Sequence, residues 1–149
     1  MPARPEESME VHRYMTRDVQ AVEPSDTVVE AARLMAERDV GALPVVERGR
    51  AVGIITDRDI AVRGVARGRA QADTRVDEIM TPDPVSVSEL ETVEAAIELM
   101  ERERIRRVVV TGDGYVKGII SLADLARHAG ERCAGEVLEK LAAPREALP

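Results

Sequence analysis

The chain has no tryptophan, no phenylalanine and only two tyrosines, Tyr14 and Tyr115, among its 149 residues. Any core must therefore be filled by Val, Ile, Leu, Met and Ala, and stacking of nucleobases on aromatic rings is nearly excluded. Cys133 is the only cysteine, so an intrachain disulfide is impossible and a reducing, cytoplasmic compartment is the natural expectation. No apolar run approaches the roughly 18 residues of a membrane span. The acidic, Pro-containing start, Met1 to Glu10, also lacks the apolar stretch of a secretion signal, so no membrane partner is expected. A basic excess is missing as well. With a formal net charge of −7 the chain as a whole is ill suited to nucleic acid, and any anion must bind at a local site. What is present, 44% hydrophobic and 33% charged residues, suits a globular protein with one sizeable core or two small ones sharing an interface.

The main organisational fact is an internal repeat. Met15-Thr16 aligns with Met80-Thr81, an offset of 65 (80 − 15), and that offset holds without a gap as far as Arg63 against His128. Matched pairs include Val22/Val87, Thr27/Thr92, Ala31/Ala96, Leu34-Met35/Leu99-Met100, Val45/Val110, Gly49/Gly114, Gly53/Gly118, Ile54-Ile55/Ile119-Ile120 and Asp59/Asp124. Biased composition alone would not keep these in one order without insertions.

Within the first copy Val28, Ala31, Ala32 and Met35 take the spacing of a helical apolar stripe, as do Val93, Ala96, Ile97 and Met100 in the second. Thr27 with Glu30 forms a capping box; Thr92 keeps the cap, but Ala95 replaces the glutamate. Ala42 to Val46 and Ala51 to Ile55 read as strands around a Gly49 turn, and Arg107 to Thr111 and Val116 to Ile120 repeat them. A further helix starts near Thr56 and near Ser121, and Gln20 to Val22 and Val85 to Val87 are expected to open each copy as strands. Val11 to Met15 and Arg75 to Met80 read as short helices leading into their copies, and Gln71 to Thr74 as a polar linker. The tail beyond Ala129 carries a helical stretch around Val137 to Leu141 whose role is not readable. The expected domains are 11–70 and 75–129, with a tail of 130–149.

Gly53-Ile54-Ile55-Thr56-Asp57-Arg58-Asp59 and Gly118-Ile119-Ile120-Ser121-Leu122-Ala123-Asp124 both carry a Gly-apolar-apolar-Thr/Ser-x-x-Asp pattern, once per copy. This resembles the signature of the CBS (cystathionine-β-synthase-like) domain family, and Ala42-Leu43-Pro44-Val45 is similar to its second-strand pattern. The resemblance covers roughly Val11 to His128 and implies an α/β (α+β) fold. It would contain two β-α-β-β-α repeats packed with pseudo-twofold symmetry, no attached enzyme, two clefts for adenosine ligands, and a homodimer. It further implies that the Asp takes ribose hydroxyls and the Thr or Ser hydroxyl a phosphate, here Asp59 with Thr56 and Asp124 with Ser121. Ala42 and Pro44 join the candidate nucleotide contacts through the strand pattern.

The residues alone make that chemistry sensible, since a carboxylate accepts from vicinal hydroxyls while a hydroxyl and free amides at a helix start favour an anion. Arg58 stands where it can face phosphates, and Arg106 and Arg107 can serve the second site. The competing account is that Thr-x-x-Asp is a helix cap and nothing more. The first site is the better candidate, because Val109 replaces the Pro44 equivalent and Leu122-Ala123 replaces Asp57-Arg58. Gly112-Asp113-Gly114 reads as a hairpin turn rather than a phosphate loop. Arg58, Arg63, Arg67 and Arg69 make a locally basic stretch, either solvated or a docking surface. His12, His128 and Cys133 lack metal-ligand spacing, and no catalytic cluster is evident, so neither a metal, a cofactor nor an enzyme activity is expected. The expected function is a regulatory sensor that binds AMP, ADP or ATP and acts on a protein effector in trans. A dimerisation module with degenerate clefts is the alternative. Sequence does not choose among adenosine ligands, which also include S-adenosylmethionine, NAD-type and cyclic dinucleotide species.

Overall fold

The computed structural model describes residues 10–17 and 19–128. The tail, with Cys133 and the expected helical stretch around Val137 to Leu141, lies outside them. The chain divides into two compact units that do not follow chain order. The described part of the first unit holds residues 19–85 and 113–116; that of the second holds 10–17, 86–112 and 117–128.

In the first unit, helix α1 (Val28–Arg38) starts at Thr27. The Thr27 hydroxyl accepts the Glu30 N–H at 3.2 Å while the Glu30 carboxylate accepts the Thr27 N–H at 2.8 Å, the reciprocal cap expected from the sequence. Strands β1 (Ala42–Glu47) and β2 (Arg50–Thr56) form an antiparallel hairpin whose two-residue turn, Arg48-Gly49, has positive φ at both positions. The chain then enters α2 (Asp57–Asp59), continued by a π-helical turn, Ile60–Gly64, and a 3-10 turn, Val65–Arg67. Helix α3 (Val76–Ile79) follows, and β3 (Thr81–Pro82) adds to β2 antiparallel.

The second unit repeats this plan. Strand β4 (Ser86–Ser88) pairs parallel with β5 (Arg107–Gly112), the crossover between them being α4 (Val93–Glu103). The Thr92 hydroxyl caps α4 by accepting the Ala95 N–H at 3.1 Å, without the reciprocal partner. Strand β6 (Tyr115–Ser121) leads directly into α5 (Leu122–His128). In the first unit the parallel opening strand is reduced to one bridge, Val22 to Val45, so the strand expected at Gln20 to Val22 does not form; that expected at Val85 to Val87 forms one residue later.

Each core is a small aliphatic cluster. Val22, Val28, Ala31, Met35, Leu43, Val45, Ile55, Val76 and Ile79 close the first; Val11, Val87, Val93, Ala96, Met100, Val108, Val110, Ile120 and Leu125 close the second. Ala32, expected on the buried stripe, is exposed, because the stripe narrows to Val28, Ala31 and Met35 on this helix. Val76 and Val11 stand 65 residues apart, yet each is buried in the core of the other copy's hairpin. The short segments that lead into the repeats therefore pack with the opposite unit. Val11–Arg13 and Thr16 belong to the second, where Thr16 bridges Ile119, and α3 and β3 belong to the first.

That exchange explains the signature glycines. A Cβ on Gly118 would collide with the Thr16 carbonyl oxygen, which is backbone. One on Gly53 would collide with the Met80 sulfur, the movable end of a side chain, and lie 3.0 Å from the Thr81 carbonyl. Both glycines allow a neighbouring strand to approach closely. Gly118→Ala is expected to cost about 2–3 kcal/mol and Gly53→Ala about 1 kcal/mol. Urea unfolding of the two variants checks the order; equal losses would contradict it.

Candidate functional site

The site residues are positioned by hairpin register. Ala42 faces Thr56 across β1 and β2, and the Asp57 N–H donates to the Gly41 carbonyl at 2.9 Å. The signature turn is thereby tied to the start of β1. Ala42 and Pro44 are two apart on that strand, so they share one of its faces; both are buried. The second unit repeats the tie, with the Leu122 N–H on the Arg106 carbonyl at 2.9 Å.

Both signature aspartates are half of a capping box. The Asp59 Oδ2 accepts the Thr56 N–H at 2.9 Å and the Thr56 hydroxyl oxygen accepts the Asp59 N–H at 3.1 Å. Asp124 and Ser121 do the same, at 3.0 Å in both directions. The cap reading is thus correct for both copies. It does not exhaust the groups, because each cap uses one carboxylate oxygen and one hydroxyl lone pair. The second oxygen and the hydroxyl hydrogen remain to be accounted for.

On that point the copies differ. Among the described residues Asp59 Oδ1 has the Arg63 guanidinium as its one ionic neighbour, at 3.9 Å, and Arg63 donates instead to the Ile79 and Met80 carbonyls, at 3.3 Å each. Asp124 Oδ1 accepts from Arg127 at 2.9 Å, and its Oδ2 also receives the Thr16 hydroxyl at 3.5 Å. Asp124 is 6% exposed and its acceptor capacity is largely spent. Thr16, Arg63 and Arg127 were not singled out from the sequence as partners of the aspartates. Met15-Thr16 aligning with Met80-Thr81 was the available signal for the first of them.

Arg58 is exposed, and its guanidinium makes no ion pair among the described residues; only its N–H is engaged, with Asp57 Oδ1 at 2.8 Å. Of the other arginines in the basic stretch, Arg69 pairs with Glu78 at 3.5 Å and Arg63 holds α3, so the stretch is partly structural. Arg107 is exposed at the start of β5. Among the described residues no group of three or more His, Cys, Asp and Glu is placed to hold a metal, and no helix is long and apolar enough to cross a membrane.

The model of the CBS domain family matches residues 10–64 and again 76–131. The chain belongs to the CBS-domain family. It is 41% identical over 128 residues to the CBS domain-containing protein YhcV of Bacillus subtilis, covering 85% of this chain and 91% of that one. Hypoxic response protein 1 of Mycobacterium tuberculosis is 30% identical over 131 residues, 87% of this chain and 92% of its own. A crystal structure of hypoxic response protein I, with two coordinated zinc ions, superposes with a TM-score of 0.74 at 32% identity, covering 80% of this chain and 98% of that one. A CBS domain protein from Pyrobaculum aerophilum, complexed with AMP, gives a TM-score of 0.75 at 28% identity, over 91% of this chain and all of that one. These likenesses establish a mixed helix and sheet CBS-pair fold over most of the chain.

The two CBS caps differ in the partners of their aspartates, and the cost of losing each should differ accordingly. Asp59→Ala is expected to cost about 0.5–2 kcal/mol, the worth of a cap. Asp124→Ala removes in addition the contacts with Arg127 and the Thr16 hydroxyl, both of which water can then satisfy, and about 1–2.5 kcal/mol is expected. Chemical denaturation of the two variants tests the ranking; a larger loss for Asp59→Ala would refute it.

Proposed function

We propose that this chain is a non-enzymatic, cytoplasmic regulatory protein that binds an adenosine nucleotide (AMP, ADP or ATP) through its first signature turn. The observation that carries the reading is the set of valences left at that turn after capping: one Asp59 oxygen, the Thr56 hydroxyl hydrogen and the whole Arg58 guanidinium. Asp59 Oδ1 accepts a ribose hydroxyl, the Thr56 hydroxyl donates to a phosphate oxygen, and Arg58 neutralises phosphate charge. Ala42 and Pro44 supply an apolar wall beside them. In the second copy Ser121 and Asp124 stand at the Thr56 and Asp59 positions, Ala123 replaces Arg58 and Arg107 stands at the Ala42 position; Asp124 is already committed there and binding is weaker. The AMP carried by the Pyrobaculum relative supports the ligand class.

Binding stabilises one arrangement of a homodimer, and a protein effector reads that arrangement in trans. A second reading, a structural module whose signature turns are caps only, draws support from the two complete capping boxes.

Arg58→Ala separates the two readings most cleanly, because its guanidinium is outside the cap. Calorimetry is expected to show ADP and ATP affinity falling about three- to tenfold with the unfolding midpoint unchanged. Asp59→Ala should weaken binding about ten- to a hundredfold while also lowering the midpoint. Asp124→Ala should leave the tighter site intact. If none of AMP, ADP, ATP, S-adenosylmethionine, NAD and a cyclic dinucleotide gives heat or thermal shift with the wild-type protein, the structural module is the correct reading.

A further inference from the structure

The residue three places after each signature aspartate differs between the copies: Val62 follows Asp59, and Arg127 follows Asp124. One turn of helix brings a residue at that spacing back beside the carboxylate it follows. Arg127 uses the position. Its Nη2 donates to Asp124 Oδ1 at 2.9 Å, and Asp124 is its one ionic partner among the described residues. The arginine side chain is 68% exposed, while the carboxylate side chain it covers is 9% exposed. An exposed arm held by a single carboxylate therefore lies on the oxygen equivalent to the one assigned to ribose in the first copy.

The first copy is not short of an arginine. Arg63 sits one residue further along, and its Nε comes within 3.9 Å of Asp59 Oδ1. It does not close, because its Nη1 donates to the Ile79 and Met80 carbonyls where α3 ends. With Arg63 tethered to α3 and no donor on Val62, Asp59 Oδ1 stays open.

What Arg127 gives Asp124 is what a ribose would give it, a hydrogen bond into Oδ1. The two donors are unequal. The guanidinium bond is charge-assisted and comes from the chain itself, whereas a ribose hydroxyl is neutral and arrives with the entropy cost of association. We propose that Arg127 is a built-in competitor for the second nucleotide site, and that the residue three places after the signature aspartate holds the second copy behind the first. This rests on the nucleotide reading above and names a side chain outside the signature that sets its two sites apart.

Reciprocal exchange tests it, each site being read in a background where the other is disabled. The titrants are AMP, ADP and ATP, which share the ribose. With the first site disabled by Asp59→Ala, adding Arg127→Val should tighten the remaining binding about three- to tenfold by calorimetry. With the second disabled by Asp124→Ala, adding Val62→Arg should weaken the first site by a similar factor. Arg127→Lys keeps the cation and should keep most of the closure. Both positions are exposed, and circular dichroism with unfolding midpoints verifies that each variant is folded. An arginine with a purely structural role would lower the midpoint of Arg127→Val and leave nucleotide affinity where it was, and that result would overturn the proposal. So would a first site indifferent to Val62→Arg, or a second site opened as fully by lysine as by valine. A wild-type protein that gives no heat with any of the adenosine ligands named above overturns the nucleotide reading itself, and this assignment with it.

Discussion

The constraint on which the rest of this structure depends is the closing of each aliphatic core by a segment that belongs, in chain order, to the other repeat. Nine buried side chains without one aromatic ring make a modest core in each unit. Each buried Val, Leu, Ile or Met contributes about 1.5–3 kcal/mol, so losing Val76 and Ile79, or Val11, would remove a substantial share. The incoming segment also adds a strand or bridge to the edge of the hairpin, at Gly53–Ile54 in one unit and Ile119 in the other. That contact lies two or three residues before the signature Thr or Ser. The hairpin end that presents the site is thus held on one side by the exchanged segment and on the other by the Asp57 to Gly41 hydrogen bond or its equivalent.

Held this way, the two signature turns have the same cap and a different chemistry. Val62 stands in the first copy where Arg127 stands in the second, and a valine cannot satisfy the second carboxylate oxygen. The π-helical turn that begins at Ile60 accompanies a further difference: the nearest arginine, Arg63, is drawn to the carbonyls at the end of α3. A π-turn of this kind is frequent at functional sites. One repeat therefore spends its aspartate on its own structure while the other keeps half of it available. Capping and ligand binding are compatible because they draw on different atoms of Thr56 and Asp59.

Much of this was legible in the sequence, for physical reasons that can be named. The repeat offset and helical spacing found Val28, Ala31 and Met35 and their counterparts, because burial of one helix face enforces that period. The caps at Thr27, Thr56, Thr92 and Ser121 were legible because a helix start needs a side-chain acceptor. Ala32 was misplaced because alanine satisfies a buried or an exposed position equally well, so the pattern could not fix the edge of the stripe. The exchange of Val11 and Val76 was not legible at all. Two residues at one repeat offset pack identically whichever copy they join, and sequence carries no signal of which. The roles of Arg63 and Arg127 stayed hidden for a related reason: long side chains reach several acceptors, and tertiary placement chooses among them.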